Sequence, residues 1–465
     1  MKRLKECLSY YLKPGMYKLL WFYPFIFSSL LMISLYGCKK ENDTAVEEKI
    51  GKAEDFLNLS PEYQPGTYRN MDKIFNTRAF KHGNTIYPLP YAAQPLATVE
   101  YSPDGVNSYG IDDFIARNYV SGLLILKNGE IVLERYAQGN DASSKWTSFS
   151  VAKSITSTLI GMAVKDGKIA GINDQVITYL PQLAGTAYDG VTIRQLLQMS
   201  SGAYWNEDYS DPESEIAAMV QVLLDEQAGG NLEILSGLPR VAEPGTIFNY
   251  STGETFLEGE VLRAALGGET LSEYLERKIW KSMGMEADGY WLLESPDGIE
   301  TAGGNVSMCL RDYGRFGMLM LNNGIINGTS LLPDGWVNEA TKPAADSPQC
   351  DYGVLYSDIN TDIYPYYYPL GYGYNWWSMP ETEWGAWDYL STPDWWGEYA
   401  ANVSDQKFTN LNGCYLAQGI FGQFILVNPR ENMVMVIWST WPEAWIDPLE
   451  YEVYSFMNAA TGYLR

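Results

Sequence analysis

The pattern of hydrophobic and polar positions changes character several times along the chain. Leu19 to Gly37 is uncharged and apolar, and residues 39–60 are charged and polar, the composition of a tether. Residues 61–100 contain Pro61, Pro65, Pro88, Pro90 and Pro95 with little periodicity, which predicts an extended arm packed on the domain that follows. From Gly122 the pattern becomes regular. Leu123–Leu126 and Ile131–Tyr136 flank Asn128 and Gly129, which predicts a β-hairpin. Ser150 to Lys165 predicts a helix buried on most sides, since Ile155, Leu159, Ile160, Met162 and Ala163 cover more than one stripe. Asp166 and Gly167 close it.

The middle of the chain reads as mainly helical. Thr192 opens a helix running toward Met199, and Ser214–Leu224, Gly253–Ala265 and Arg311–Leu321 are further helices, the last ended by Asn322, Asn323 and Gly324. Strands return near the end: Gly413–Gln418, Gly422–Val427 and Met433–Trp438 are short and apolar, with a turn through Asn428, Pro429 and Asn432. A last helix is predicted from Leu449 to Ala460. Strands from both ends and helices between them predict an α+β fold: one antiparallel β-sheet flanked by helices, with a mainly helical region inserted over about residues 170–320.

Composition narrows the function. The net charge is −25, and residues 1–37 are basic, so the remainder is more acidic still. Such a surface repels phosphate backbones and argues against nucleic-acid binding. The sequence contains 1 histidine, His82, in a polar stretch near the start. A histidine-rich zinc site is excluded, and a Ser-His-Asp triad would have to use that residue. Hydrolytic chemistry here is expected to use a different base and no metal or other cofactor.

Residues 1–37 read as a secretory signal: Lys2, Arg3, Lys5, Lys13 and Lys18 precede the apolar run, and Gly37 and Cys38 end it. Leu35 to Cys38 resembles the bacterial lipobox, in which the cysteine is acylated and becomes the new N-terminus. An uncleaved transmembrane helix is the alternative, since the run is long enough to span a bilayer. Both readings place residues 38–100, as tether and arm, and the domain over 101–465 outside the cytoplasm. Of the other cysteines, Cys7 lies in the leader, and Cys309, Cys350 and Cys414 allow at most one disulfide.

Candidate chemistry begins with the Ser-x-x-Lys pair Ser150 and Lys153. Residues three apart share a helix face, so Lys153 is predicted one turn beyond Ser150. A lysine beside an apolar helix loses hydration, its pKa falls, and it can act as a base. The helix N-terminus favours developing negative charge at Ser150. The plain alternative is a serine N-cap with a snorkelling lysine. Ser404 and Lys407 repeat the spacing in a polar stretch without helical pattern, so Lys407 is read as solvated. Tyr250, on a loop after Pro244 and Gly245 and before a helix, could relay protons. Gly419 and Gly422 mark a strand where another backbone or a ligand approaches, and an edge N–H there could join that of Ser150 in an oxyanion hole.

Ser150–Ser154, Val191–Gly202, Pro244–Thr252 and Gly419–Gln423 occur in an order that resembles the serine β-lactamase-related family. That family includes class C β-lactamases, D-alanyl-D-alanine carboxypeptidases, esterases and 6-aminohexanoate-dimer hydrolase. Gly303, Gly304 and Arg311–Gly317 resemble further family segments. The resemblance implies an acyl-enzyme mechanism: Ser150 attacks a carbonyl, Lys153 and Tyr250 move protons, and the N–H groups of Ser150 and Ile420 hold the oxyanion. It also implies substrate contacts at Thr252 and Gly419, and at Tyr209, which is similar to a substrate-covering loop tyrosine of the dimer hydrolase. Two positions depart from the pattern. Gln418, Gly419 and Ile420 stand where Lys-Thr-Gly or His-x-Gly is frequent, so the cation that would bind a β-lactam carboxylate is missing. Thr252 stands where asparagine is common. The expected function is therefore a serine hydrolase acting on a small or peptide-like ester or amide. A penicillin-recognising carboxypeptidase or β-lactamase, or a non-catalytic binding protein of the same fold, is the alternative.

Overall fold

The computed structural model describes residues 48–342, 370–382, 384 and 406–465. The leader with Cys38, Cys350, Ser404 and most of the aromatic stretch from Tyr364 to Trp396 lie outside the described residues. A seven-stranded sheet forms the frame, in the order Glu130–Tyr136, Val120–Lys127, Met433–Ser439, Gln423–Asn428, Tyr415–Gly419, Trp377–Ser378, Gly371–Tyr372. Every neighbouring pair is antiparallel. The first hairpin turns on Asn128 and Gly129 with φ of 53° and 81°, as a turn with two left-handed residues requires.

The central strands are buried on both faces, which is why they read as unbroken apolar runs. Alternation is present all the same. Leu124, Leu126, Val434, Val436 and Trp438 enter the core that holds the helices Val151–Lys165 and Leu310–Leu321. Leu123, Ile125, Met433, Met435 and Ile437 enter the core of the C-terminal helix Asp447–Tyr463. Helices therefore cover both faces of the sheet.

The helical segments start where hydroxyl caps predict. Thr192 forms a capping box with Gln195, and the Oγ atoms of Ser214 and Ser251 accept from the backbone of Ala217 and Glu254. The observed helices are Ile193–Leu197, Glu215–Leu224 and Thr252–Leu266. The first stops short of Met199, which turns to a φ of 53°.

The sequence pattern did not reveal a second sheet of four short strands, in the order Thr77–Phe80, Gly289–Leu292, Val306–Met308, Trp146–Thr147. Two of its strands lie within the stretch expected to be helical and one within the proline-rich arm. Gly289–Leu292 and Val306–Met308 are buried throughout, so they show no alternation to read. The arm is also more structured than an extended chain, with a short helix over Gln64–Tyr68. Among the described residues no helix is long and apolar enough to cross a membrane, and no group of His, Cys, Asp or Glu could hold a metal ion.

Candidate active site

The helix Val151–Lys165 is buried continuously from Val151 to Ala163. It packs against the helix Thr252–Leu266 and the strands Tyr415–Gly419 and Gln423–Asn428. Ser150 occupies its N-cap position, yet its side chain makes no capping hydrogen bond. Instead Lys153 Nζ donates to Ser150 Oγ at 3.0 Å, to Thr252 Oγ1 at 2.8 Å and to the Gly303 carbonyl at 2.9 Å. These acceptors match the three donors of an ammonium. Ser150 is 8% exposed and Lys153 2%, so the lysine does not snorkel. Burial brings its pKa down to about 8, with the carboxylates of Glu207 and Glu258 pulling the other way.

Gly303 reaches Lys153 because its backbone crosses the helix start closely. A Cβ there would lie 3.0 Å from the Thr252 carbonyl oxygen. Thr156, one turn beyond Lys153, donates to the Ala302 carbonyl at 2.9 Å and fixes the same loop.

Tyr250 precedes the capping serine of the helix Thr252–Leu266, and its phenol lies near enough to Ser150 to feel its hydroxyl. The Tyr250 ring stacks on Trp377 (5.8 Å, 17°) and meets Tyr372 edge-on (6.1 Å, 84°). Lys153 Nζ lies 5.0 Å from its centroid. Burial and the nearby Glu207 raise the phenol pKa, so it keeps its proton.

Thr252 lies at the same point. Its hydroxyl accepts from Lys153 and donates to Glu207, and its backbone N–H donates to Glu207 at 2.9 Å. Tyr209 donates to the same carboxylate at 2.8 Å, as does the Trp205 indole. Tyr209 is thus drawn in beside Thr252 and Tyr250. Glu207 itself was not singled out from the sequence. It stands in an acidic, polar segment that reads as a solvated loop, and only folding shows that its carboxylate turns inward.

Gly419 ends its strand against the serine. A Cβ on Gly419 would lie 2.6 Å from the Ser148 carbonyl oxygen and 3.1 Å from the backbone nitrogen of Ser150. Ile420 follows it. Neither the Ser150 nor the Ile420 N–H makes a backbone hydrogen bond among the described residues. Two backbone donors without a backbone partner therefore belong to adjoining segments, one on Ser150 itself and one on the residue that follows Gly419.

Behind Lys153 the helix Thr252–Leu266 buries Glu254 and Glu258, one turn apart. Asn375 donates to Glu258 at 2.7 Å and to the Lys153 carbonyl at 3.3 Å. Burial raises both carboxyl pKa values, that of Glu254 up to about 8. These residues too are not legible in the sequence, because a lone acid or amide reads as solvated until the fold supplies its partners.

Residues set aside in the sequence lie elsewhere. The His82 ring is exposed and meets Asp288 through Nδ1 at 2.7 Å. Lys407 is exposed. Gln418 turns away from the serine and donates to Glu450 at 3.2 Å and to Tyr454.

Comparison with known proteins agrees with this architecture. Residues 116–449 match the beta-lactamase family. The 6-aminohexanoate-dimer hydrolase of Paenarthrobacter ureafaciens is 27% identical over 328 residues, which cover 69% of this chain and 72% of the relative. An Escherichia coli K12 protein provisionally named D-alanyl-D-alanine carboxypeptidase is 24% identical over 183 residues, 35% of this chain and 41% of that one. A Bacillus anthracis structure provisionally named 6-aminohexanoate-dimer hydrolase shares the fold with a TM-score of 0.68 and 21% identity, over 86% of this chain and 94% of the other. A family VIII carboxylesterase structure aligns with a TM-score of 0.51 and 16% identity, over 75% and 95% of the two chains. With the family match spanning most of its length, the chain belongs to the beta-lactamase family of serine hydrolases.

Proposed function

We propose that the protein cleaves an ester or amide bond through an acyl-enzyme formed on Ser150, with Lys153 as its general base. One observation carries this reading: a buried amine whose pKa is brought down to about 8 lies 3.0 Å from an uncapped serine hydroxyl. Neutral Lys153 takes the Ser150 proton as Oγ attacks the carbonyl carbon. The N–H groups of Ser150 and Ile420 stabilise the oxygen that becomes negative. Tyr250, which remains a phenol at neutral pH, passes a proton to the departing alcohol or amine. Water then enters along the reverse route and releases the acid.

Thr252 holds the lysine on one side and Glu207 on the other, so it shapes the site from below, and Tyr209 and Gly419 border the substrate. The preference for a neutral acyl group follows from Gln418. It supplies no cation, and its amide is engaged with Glu450 and Tyr454. A relative named for hydrolysing a 6-aminohexanoate dimer agrees with an amide substrate. The test is turnover of p-nitrophenyl esters and short linear amides beside labelling by a fluorescent penicillin. Hydrolysis that Ser150→Ala abolishes, without penicillin labelling, supports the reading. Labelling of Ser150 by penicillin would favour a penicillin-recognising enzyme.

The chain is further proposed to act outside the cytoplasm, anchored by a lipid on Cys38. Its support is the basic head, the apolar run and the lipobox-like Leu35–Cys38. Incorporation of labelled palmitate that Cys38→Ser removes is the expected outcome. Unchanged membrane retention in Cys38→Ser points to a transmembrane anchor instead.

A further inference from the structure

The two backbone donors are each flanked by a phenylalanine in an unusual conformation. Phe149 immediately precedes Ser150 and Phe421 immediately follows Ile420, and both have left-handed φ, 44° and 60°. Residues with a Cβ rarely adopt this region unless their surroundings hold them there. The two rings touch, with centroids 5.2 Å apart and planes at 53°.

What holds them comes from far upstream. Tyr68 meets Phe149 edge-on (5.0 Å, 83°) and also leans on Phe421 (5.6 Å, 44°). Phe56 stacks on Phe149 as well (5.7 Å, 13°). All four rings are buried. Gln64 adds a backbone link: its Nε2 donates to the Trp441 carbonyl at 3.0 Å, and the Trp441 N–H donates to the Phe421 carbonyl at 3.3 Å. Phe56, Gln64 and Tyr68 all precede residue 116, where the family match begins.

We propose that this N-terminal arm is a positioning device for the oxyanion donors, with Phe56, Gln64 and Tyr68 wedging Phe149 and Phe421 so that the N–H groups of Ser150 and Ile420 point at one oxygen. It rests on the reading of those N–H groups as the oxyanion hole. Close-packed rings cannot rotate independently, so the backbone torsion at each phenylalanine is fixed by its neighbours. Without the Tyr68 ring, Phe149 and Phe421 can relax into the vacated space and the donors on either side swing with them. The interaction lost is one made mainly in the transition state, where the oxygen carries charge. It therefore appears in kcat and hardly in KM. A single misplaced oxyanion donor costs on the order of 100-fold in rate.

The experiment compares Tyr68→Leu, Phe56→Leu and Tyr68→Phe in the full chain with p-nitrophenyl ester turnover, corrected for the folded fraction by circular dichroism. An aryl boronic acid, which forms a tetrahedral anion on the serine, reports the donors separately. Tyr68→Leu is expected to lower kcat ten- to a hundredfold with KM within twofold, and to weaken the boronic acid by a similar factor. Tyr68→Phe, which keeps the ring, restores most of both. Should Tyr68→Leu not fold, Phe56→Leu decides by the same readouts. Normal kcat and normal boronic acid affinity in the folded leucine variants would overturn the proposal, as would a loss that merely follows the unfolded fraction. Ser150→Ala is run in parallel. If it keeps turnover, the nucleophile assignment has failed; if it is inactive while Tyr68→Leu is normal, only the arm's role has.

Discussion

Glu207 grips Thr252 twice, taking both its backbone N–H and its hydroxyl. The carboxylate thus sits at the N-terminus of the helix Thr252–Leu266, where the helix dipole favours it, and one hydroxyl away from Lys153. It counteracts the loss of hydration that lowers the lysine pKa. Glu207→Gln removes that attraction while keeping an acceptor. The rising limb of kcat/KM against pH should then move to lower pH than in the parent. An unmoved limb would mean that Glu207 does not act on the lysine's charge.

The parent enzyme has its own pH signature. Lys153 must be neutral to accept a proton, and its pKa lies at about 8. Activity is therefore low below that value, rises as pH passes through it, and levels above it. Lys153→Met retains the packing of the stem but has no base. It should lose at least about 1000-fold in kcat/KM and show no such limb. A pH–rate profile of both proteins on one ester checks this.

Tyr250→Phe separates proton relay from packing. The phenylalanine ring can keep the stack on Trp377 and the edge contact with Tyr372, so the melting temperature should hardly change. The missing hydroxyl should cost about 100-fold in kcat/KM. The penalty should be smaller for a p-nitrophenyl ester, whose leaving group needs no proton, than for an amide.

Glu254 gives a stability prediction with a definite sign. Its folded-state pKa is raised by burial to about 8, so the native state holds a proton that the unfolded chain releases above the ordinary carboxyl range. Stability from this group is therefore lost as pH rises from about 4.5 to about 8. Glu254→Gln, which keeps an acceptor for Ser201, should be more stable than the parent at pH 8 by on the order of 1–3 kcal/mol, with a flatter pH dependence. Urea unfolding at pH 5 and pH 8 measures both.

Much of this architecture was legible in the residue pattern, and the exceptions share a cause. The hairpin at Asn128 and Gly129, the helix after Ser150 and the three C-terminal strands carry local signals strong enough to survive without tertiary context. Lys153 was legible too, because an apolar helix leaves a lysine one turn from its start little water. Glu207, Glu258 and Asn375 were not, since an isolated acid or amide reads as solvated until the fold supplies its partners. Phe56 and Tyr68 were hidden for a different reason. Phe56 lies in the charged, polar stretch that reads as a tether and Tyr68 in the proline-rich arm without periodicity, and their partners Phe149 and Phe421 lie at least 81 and 353 residues away. Two strands of the small sheet, Gly289–Leu292 and Val306–Met308, were hidden because short strands buried throughout offer no alternation to count.

The most direct test maps a fluorophosphonate adduct by mass spectrometry on the parent, Lys153→Met and Ser150→Ala proteins. In the parent the adduct should fall on the peptide containing Ser150 and form more slowly below pH 8 than above it. Lys153→Met should label only in trace and Ser150→Ala not at all. An adduct on another serine, or labelling of Lys153→Met at the parental rate, would contradict the pairing of this alcohol with this amine.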